Sequence, residues 1–420
     1  MSWKSIVKKR ATVKGDVVIV GIDVGKRSNV ASTSLRNPKR PKELQFSNDR
    51  QGFNLLLGRI GEWKRICGWS DVIVGLESSG HYWEPLAYWL AEHGIKVVQV
   101  NPLHVKRNKE TVDNSPEKTD RKDAFLIADL VEQGKYLTLV LPRGVFAELR
   151  QLVASRKRML EELNTKLNHV HESVDRIFPE FGTVFKDLRG KTARYILRHF
   201  PLPDEIVSIG YVDLVIRLKR DCYQRLRKDK LKALWDAAMS SVGVREGLEA
   251  ARDVLHDELG GLEGVLERLE GVESRIERLV AEIDEARYML SVSGIGVMTV
   301  AMVLSETCGM RNYERASSVL KLAGLNLYEI SSGQMKGSRH ITKRGRSLLR
   351  QVLYFAAVRQ AKRGSVLYGF YRSLVDQGKN KIKALIAVAC KLVRLLFALV
   401  RDSRYYTEQR PCLLAVGAAA

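Results

Sequence analysis

Four acidic residues in the first third of the chain stand where metal-dependent phosphodiester chemistry would need them. Asp23 ends an apolar run within GIDVGK, and Glu77 ends a second one within DVIVGLES. Asp120 and Asp123 lie three residues apart in KTDRKDA, which places both on one face of a helix. Together they could hold Mg²⁺ or Mn²⁺ through oxygen atoms, and two such ions about 3.5–4 Å apart can bind the attacking and leaving oxygens of a phosphodiester.

Each of these carboxylates also has a purely structural explanation. Asp23 could close a turn before Gly25, Glu77 could pair with a surface lysine, and Asp120 could cap its helix. The set as a whole favours chemistry, because an acidic residue at the end of an apolar strand is costly to bury without a cation. An acidic residue at the end of an apolar strand occurs twice, at Asp23 and at Glu77.

The flanking sequence predicts the elements that would position these carboxylates. Short strands are expected at 16–23, 29–34 and 43–46, followed by alternating helices and strands at 54–63, 71–78, 82–92 and 96–100 and a helix from Asp120. This order is that of a mixed sheet with helices on its faces, the ribonuclease H-like arrangement. We therefore predict an α/β domain over residues 15–140.

Two long amphipathic helices are predicted after this domain. Apolar residues recur at steps of three and four from Phe146 to Ile177 and again from Leu255 to Leu290, where four glycines weaken the first half. The helices could pair within one chain or across a dimer, so an ordinary helical hairpin and a dimerising coiled coil are equal alternatives. We assign 145–290 to this connector, with an insert near 185–243 to which the sequence gives no role.

A strong positive charge in the last third of the chain predicts binding to a polyanion. The chain has 70 lysines and arginines against 48 acidic residues, a formal charge of +22. Residues 331–410 carry 18 basic against three acidic residues, whereas 245–290 carry 13 acidic residues against six arginines. Nucleic acid is therefore the expected partner, bound by the C-terminal part rather than by the middle of the chain.

Two segments of the C-terminal part contain candidate contacts to nucleic acid. In the first, Gly294 and Gly296 are expected to join two helices and would let the backbone approach a phosphate, although a tight turn explains them equally well. In the second, a Ser-Ser-Gly turn at 331–333 precedes a run of cations that would bind phosphates and favour a serine nucleophile. Such a turn is also common loop chemistry. The cations are Lys336, Arg339, Lys343, Arg344 and Arg346.

Composition argues against several other classes of protein. The five cysteines lie far apart without a histidine at metal spacing, so neither a zinc site nor a disulfide framework is expected. This cysteine usage fits the reducing environment of the cytoplasm. The N-terminus is basic but lacks the apolar run of a signal peptide. The apolar stretch 384–400 contains Lys391 and Arg394 and is short for a membrane span, so we expect a buried helix with a basic edge and no membrane partner.

These motifs, in this order, resemble those of the DEDD transposases of the IS110 insertion-sequence family, whose relatives include the Piv-type DNA invertases. The resemblance covers roughly residues 15–140, through GIDVGK, GLESSGHY, VNPLHVK and KTDRKDA, and roughly 290–375, through GIG, KLAGLN, SSGQMKG and ITKRG. It implies that the four acidic residues named above bind the catalytic metal. It also implies that Ser332, directly before Gly333, is the nucleophile, with Ser331 as the alternative.

The resemblance further implies an architecture and a mechanism. The expected fold is a RuvC-like domain, a coiled-coil connector, a mostly helical transposase domain over 291–400 and a flexible tail over 401–420. The expected activity cuts and rejoins element-end and target DNA through a covalent phosphoserine, in a dimer or tetramer guided by a structured bridge RNA. Two rival functions remain: a RuvC-like nuclease that hydrolyses branched DNA without a serine intermediate, and a non-catalytic nucleic-acid-binding scaffold.

Overall fold

The apolar runs at the start of the chain form the central strands of a mixed sheet. In the computed structural model this sheet belongs to the first of two units, Met1–Leu141, and the second unit is Pro142–Ala420. The structure describes residues 3–13, 15–34, 43–77, 80–113, 119–221, 227–329 and 339–407.

Six strands pair in the order β3-β2-β1-β4-β5-β6. They are β1 (Val17–Val24), β2 (Ser28–Thr33), β3 (Leu44–Ser47), β4 (Asp71–Glu77), β5 (Lys96–Val100) and β6 (Tyr136–Thr138). Strands β1, β4 and β5 are mutually parallel, whereas β2, β3 and β6 join the sheet through antiparallel pairs. The parallel strands are mostly buried, which is why they appear in the sequence as continuous apolar runs.

Helices cover both faces of this sheet. They are α1 (Trp3–Val13), α2 (Arg50–Cys67), α3 (Trp83–Glu92), α4 (Pro102–Asp113) and α5 (Asp120–Glu132). Val18, Val20 and Ile22 of β1 share a core with α2 and α3, whereas Val17 and Ile19 share a core with α5. Because successive residues of a strand point to opposite faces, Asp23 lies on the α5 face. The predicted order of strands and helices is confirmed, and α1, α4 and β6 are additions to it.

Two glycines allow α5 to lie directly on the sheet. A Cβ atom at Gly21 of β1 would lie 2.1 Å from the Ala124 carbonyl oxygen, and one at Gly75 of β4 would lie 2.6 Å from a methyl group of Val131. Only glycine fits at such distances, and a glycine inside a strand commonly marks a close approach of this kind. Each glycine stands two residues before a strand-end carboxylate, so the same contact brings the first turn of α5 next to both carboxylates.

The second unit is built from helices and one short hairpin. The hairpin pairs β7 (Leu327–Glu329) with β8 (Arg339–Ile341) in antiparallel register. The helices are α6 (Val145–Ile177), α7 (Phe181–Val184), α8 (Lys191–His199), α9 (Pro203–Ile209), α10 (Tyr211–Asp221), α11 (Lys228–Met239), α12 (Leu248–Glu282), α13 (Asp284–Leu290), α14 (Val297–Thr307), α15 (Ala316–Leu322), α16 (Ser347–Gln360), α17 (Tyr368–Asp376) and α18 (Lys381–Arg401).

The two long helices of this unit, α6 and α12, pack against each other within one chain. Their antiparallel pairing includes two ion pairs, in which Arg156 Nη2 lies 2.7 Å from Glu273 Oε1 and Arg268 Nη2 lies 2.7 Å from Glu162 Oε1. The first predicted amphipathic helix is confirmed, whereas the second ends at Glu282 and the predicted run to Leu290 continues as α13 after the extended residue Ile283. The two long helices pair within this chain. The four glycines do not interrupt α12, because packing of its apolar face compensates for their low helix propensity.

Each end of the α6–α12 pair belongs to a different hydrophobic core. Leu163 to Ile177 of α6 and Leu255 to Leu269 of α12 pack with α7–α11, of which α8–α11 come from the region of the predicted insert. At the other end, Leu149 and Ile276 pack with α13–α18. The predicted buried helix at 384–400 is confirmed as α18, and no helix in the described ranges combines the length and apolar character needed to cross a membrane.

The first residues of the predicted flexible tail are held in place. The Tyr406 backbone N–H donates to Ser291 Oγ at 2.8 Å, and the Tyr405 and Tyr288 rings lie 5.4 Å apart. The start of the predicted tail thus contacts the helical core as far as Tyr406, and a flexible tail over 401–420 stays a prediction.

Replacing Gly21 by alanine tests the close contact between α5 and β1. We expect Gly21→Ala to lower the free energy of unfolding by about 1–3 kcal/mol, because the added methyl group overpacks the contact. Urea unfolding followed by tryptophan fluorescence measures this, since five of the six tryptophans lie in the first unit.

Gly58 provides the matched control. It is exposed in α2, and an added Cβ would have nothing within 4 Å. Gly58→Ala should therefore stabilise the protein by roughly 0.5–1 kcal/mol through helix propensity. A Gly21→Ala protein as stable as the wild type would contradict the close contact.

Candidate active site

The pairing of β1 with β4 brings Asp23 next to Glu77. Their parallel register aligns Gly21 with Gly75 and Ile22 with Leu76, so the next residue on each strand is a carboxylate at the same edge of the sheet. Both side chains are partly buried. The strand ends thus hold two negative charges close together on rigid backbone.

Helix α5 supplies the other two carboxylates. Thr119 is the N-cap of this helix, and its Oγ1 accepts a hydrogen bond from the Lys122 N–H at 3.2 Å. Asp120 is therefore not the cap; it is the first helical residue and is exposed, whereas Asp123 in the same turn is buried. The positive end of the helix dipole favours both carboxylates at this position.

The four carboxylates interact electrostatically. Burial raises the pKa of Asp23 from 3.8 to about 6, and repulsion from Asp123, Asp120 and Glu77 contributes in the same direction. The positive charge of Lys109 acts against this rise. The structure therefore brings all four predicted residues into one electrostatic neighbourhood of the first unit.

A lysine that sequence reasoning missed pairs with Asp123. Lys109 Nζ, from α4, lies 2.6 Å from Asp123 Oδ1 and 2.6 Å from Asp123 Oδ2. Oδ1 is fully buried and accepts no hydrogen bond of good geometry, so its contact with the ammonium is electrostatic only. The sequence around it contains three nearby cations, Lys106, Arg107 and Lys109. Their spacing does not indicate which of them points towards the carboxylates.

The chemistry of these side chains fits a hard divalent cation. All four offer oxygen ligands, which are the ligands that Mg²⁺ and Mn²⁺ prefer. In the described part of the chain, however, no group of three or more histidine, cysteine, aspartate or glutamate side chains has the mutual spacing of a metal site. A metal ion shared by these carboxylates would need their side chains to turn towards one another, while the backbone of the strands and of α5 stays in place.

The predicted nucleophile lies outside the described residues. Ser332, its neighbour Ser331 and the predicted phosphate contact Lys336 all fall in the stretch 330–338. That stretch follows β7 and precedes β8 in the chain, and the two strands are paired with Leu327 opposite Ile341.

The remaining predicted cations differ in whether they form hydrogen bonds or ion pairs with other residues of the protein. Arg346 Nη1 donates to the Glu306 carbonyl oxygen at 2.9 Å, and Arg339 Nε lies 2.9 Å from Glu329 Oε2. Lys343 and Arg344 are exposed. These last two are therefore the better placed of the four to meet a phosphate.

Close packing fixes the backbone that presents these exposed cations. A Cβ atom at Gly345 would lie 2.3 Å from the Leu322 carbonyl oxygen, and the Lys343 N–H donates to the Gly324 carbonyl oxygen at 3.0 Å. Lys343 adopts a left-handed conformation with φ 52°. The loop is thus held against the end of α15.

The predicted glycine turn joins α13 to α14. Gly294 has a φ of 82°, and Gln360 Nε2 donates to the carbonyl oxygen of the preceding Ser293 at 2.5 Å. Gly296 is the N-cap of α14. The tight turn is confirmed, and a nucleic-acid contact at Gly294 and Gly296 stays a prediction.

Comparison with known protein families matches two stretches of the chain. Residues 20–179 match the profile of the IS110 DEDD transposases, described as "Transposase", and residues 286–372 match "Transposase IS116/IS110/IS902 family". The first range contains all four carboxylates and the second contains Ser332. The chain belongs to the IS110 family of transposases. This transposase is accordingly an enzyme of DNA recombination.

Individual relatives of the transposase support this assignment. It is 23% identical over 401 residues to the insertion element IS110 uncharacterized 43.6 kDa protein of Streptomyces coelicolor, across 94% of this chain and 96% of the relative. It is 24% identical to the insertion element IS116 uncharacterized 44.8 kDa protein of Streptomyces clavuligerus, across 95% and 98%. The pilin gene-inverting protein of Moraxella bovis is 33% identical over 109 residues, across 26% and 32%.

The raised pKa of Asp23 predicts how the stability of the metal-free transposase depends on pH. Because the folded protein binds this proton more tightly than the unfolded chain, Asp23 destabilises the fold as the pH rises from 3.8 through about 6. We expect Asp23→Asn to melt at a higher temperature than the wild type at pH 7 in EDTA. The difference should shrink as the pH falls towards 4, and an Asp23→Asn protein that melts lower at pH 7 would contradict the clustering of charge.

Proposed function

We propose that this transposase cuts and rejoins DNA with a divalent-metal site formed by Asp23, Glu77, Asp120 and Asp123, and with Ser332 as a nucleophile that becomes covalently joined to DNA. The observation that carries the proposal is the convergence of four carboxylates at one edge of the sheet. Like charges gathered in a partly buried place cost stability, and such clusters are typical of functional sites.

The topology of the first unit supports a RuvC-like, that is ribonuclease H-like, fold. Three strands joined in antiparallel order precede two parallel strands, and α5 crosses β1 and β4 with its acidic first turn at their carboxyl ends. Ligands of open α/β sheets bind at the carboxyl ends of strands. The carboxylates lie at this edge.

The four carboxylates would have different tasks. Asp23 and Glu77 are held by rigid strand ends, Asp123 is buried, and the exposed Asp120 faces solvent, where DNA has access. Mg²⁺ or Mn²⁺ bound there would stabilise the negative charge that develops on the phosphate oxygens during strand cleavage.

Covalent chemistry at Ser332 would proceed by two balanced displacements. In the first, the serine oxygen forms a bond to phosphorus and the bond from phosphorus to one deoxyribose oxygen breaks. The serine proton is lost to solvent, and the leaving sugar oxygen takes up a proton. In the second, a sugar hydroxyl of the new partner strand attacks the phosphoserine and regenerates the serine. No oxidant or external energy source is needed, because each phosphodiester bond that breaks is replaced.

Trapping the covalent intermediate tests both halves of the proposal. With a nicked element-end DNA and Mn²⁺, the wild-type protein should form an adduct that survives denaturation in detergent. Ser332→Ala should form none, because it lacks the nucleophile, and Asp120→Asn should form at least about 100-fold less, because charge stabilisation of this kind is lost with one ligand. Gel electrophoresis of labelled DNA measures both.

Two matched controls accompany this experiment. Ser331→Ala removes the neighbouring hydroxyl and should keep the adduct. Asp71→Asn removes an exposed carboxylate at the opposite end of β4 and should keep full activity. An adduct that persists in Ser332→Ala would exclude this serine, and cleavage by the wild type without any adduct would favour a nuclease that uses water.

We also propose that the exposed cations after β8 hold the nucleic-acid backbone. Replacing Lys343 and Arg344 together by alanine should weaken binding to duplex DNA regardless of sequence. It should also reduce the slope of log K against log salt by up to about 1.8, because each phosphate contact contributes about 0.9. Fluorescence anisotropy over a range of salt concentrations measures the slope.

Two arginines of the acidic middle region serve as control for this change. Arg275 and Arg278 are exposed on α12, so their replacement by alanine removes the same charge from a different surface. That variant should keep the wild-type slope. Equal slopes in the wild type and the Lys343→Ala/Arg344→Ala protein would show that these cations are only solvated.

A structured guide RNA and assembly into a dimer or tetramer complete the proposed function. The family resemblance supports both, and the charge of +22 suits a protein that binds RNA as well as DNA.

A further inference from the structure

We infer that Lys109 is an internal counter-ion that competes with the divalent metal for Asp123. Its ammonium group neutralises Asp123 in the metal-free protein and has to leave before a metal ion can bind. The inference depends on the proposed metal site, and it adds a residue that controls how readily that site is filled.

The geometry of the ion pair supports competition. Both oxygens of Asp123 lie 2.6 Å from the Lys109 nitrogen, so one cation occupies the whole carboxylate. The Asp123 side chain is only 8% exposed, and an ionised carboxylate at such a depth requires a cation next to it. A metal ion bound to the same oxygens would lie close to the ammonium, and the two positive charges would repel each other.

The position of Lys109 allows it to leave. It is carried by α4, whereas Asp123 is carried by α5, so the pair is not fixed by a shared helical turn. The Lys109 side chain is 22% exposed, and its flexible four-carbon stem can turn the ammonium to water without moving the backbone. Asp123 cannot move out in the same way, because its helix is packed on the sheet at Gly21.

The influence of Lys109 extends beyond its direct partner. Its charge also acts on Asp23, opposing the repulsion from the other carboxylates. A single lysine therefore stabilises the cluster in the absence of metal. Metal binding would remove this interaction of Lys109 with the carboxylates. The free energy of that interaction therefore lowers the affinity of the cluster for metal.

Metal binding by the full-length protein without DNA tests the inference. Titration with MnCl₂, followed by calorimetry and by thermal melting, gives an affinity that does not depend on catalysis. We expect Lys109→Met to bind Mn²⁺ at least about tenfold more tightly than the wild type and to melt at a lower temperature in EDTA, because Asp123 then lacks a counter-ion. The Mn²⁺-induced rise in melting temperature should be correspondingly larger.

Two further variants separate charge from packing. Lys109→Arg keeps the positive charge and should bind Mn²⁺ with nearly wild-type affinity. Lys106→Met removes an exposed cation from the same helix and should leave both affinity and melting unchanged. Equal affinities of wild type and Lys109→Met, or Lys109→Arg binding as tightly as Lys109→Met, would overturn the inference. Absence of Mn²⁺ binding to every variant would instead refute the proposed metal site, and the inference with it.

Discussion

The direct contact of helix α5 with the two central strands brings the four candidate carboxylates together. Gly21 lets the α5 backbone approach β1, and Gly75 makes room for the Val131 side chain of α5, so the first turn of α5 lies over the carboxyl ends of β1 and β4. Helix and strands each contribute two carboxylates to that place. The site is therefore assembled by backbone packing inside the first unit, and loop conformation contributes little to it.

Gathering four carboxylates in this way has an electrostatic cost that the surrounding structure only partly offsets. Burial and mutual repulsion raise the pKa of Asp23, while Lys109 and the N-terminal end of the α5 dipole favour the ionised forms. The cluster therefore remains electrostatically unsatisfied, and this imbalance supports the proposed binding of a divalent cation.

The sequence predicted most of the first unit and all four carboxylates, because apolar runs, strand-end acids and helix periodicity are local signals. A further local pattern indicates the close approach of α5: both strands contain Gly-X-acid, which places the glycine and the acidic residue on the same face of the sheet. Lys109 could not be predicted, because three cations share its helix and the choice among them depends on tertiary packing. The partner of Arg346 was hidden for the same reason, since Glu306 is 40 residues away in sequence. The partner of Arg339 is Glu329, which lies opposite it in the short hairpin of β7 and β8.

The antiparallel pair of long helices has a consequence for how the second unit unfolds. Helices α6 and α12 each run without a break from one hydrophobic core into the other. A helix loses much of its stability when one of its packed ends is released, because isolated helices are marginal in water. Melting of the core around α7–α11 would therefore weaken the core that contains α13–α18. Unfolding of α7–α11 would in this way be coupled to unfolding of the rest of the unit.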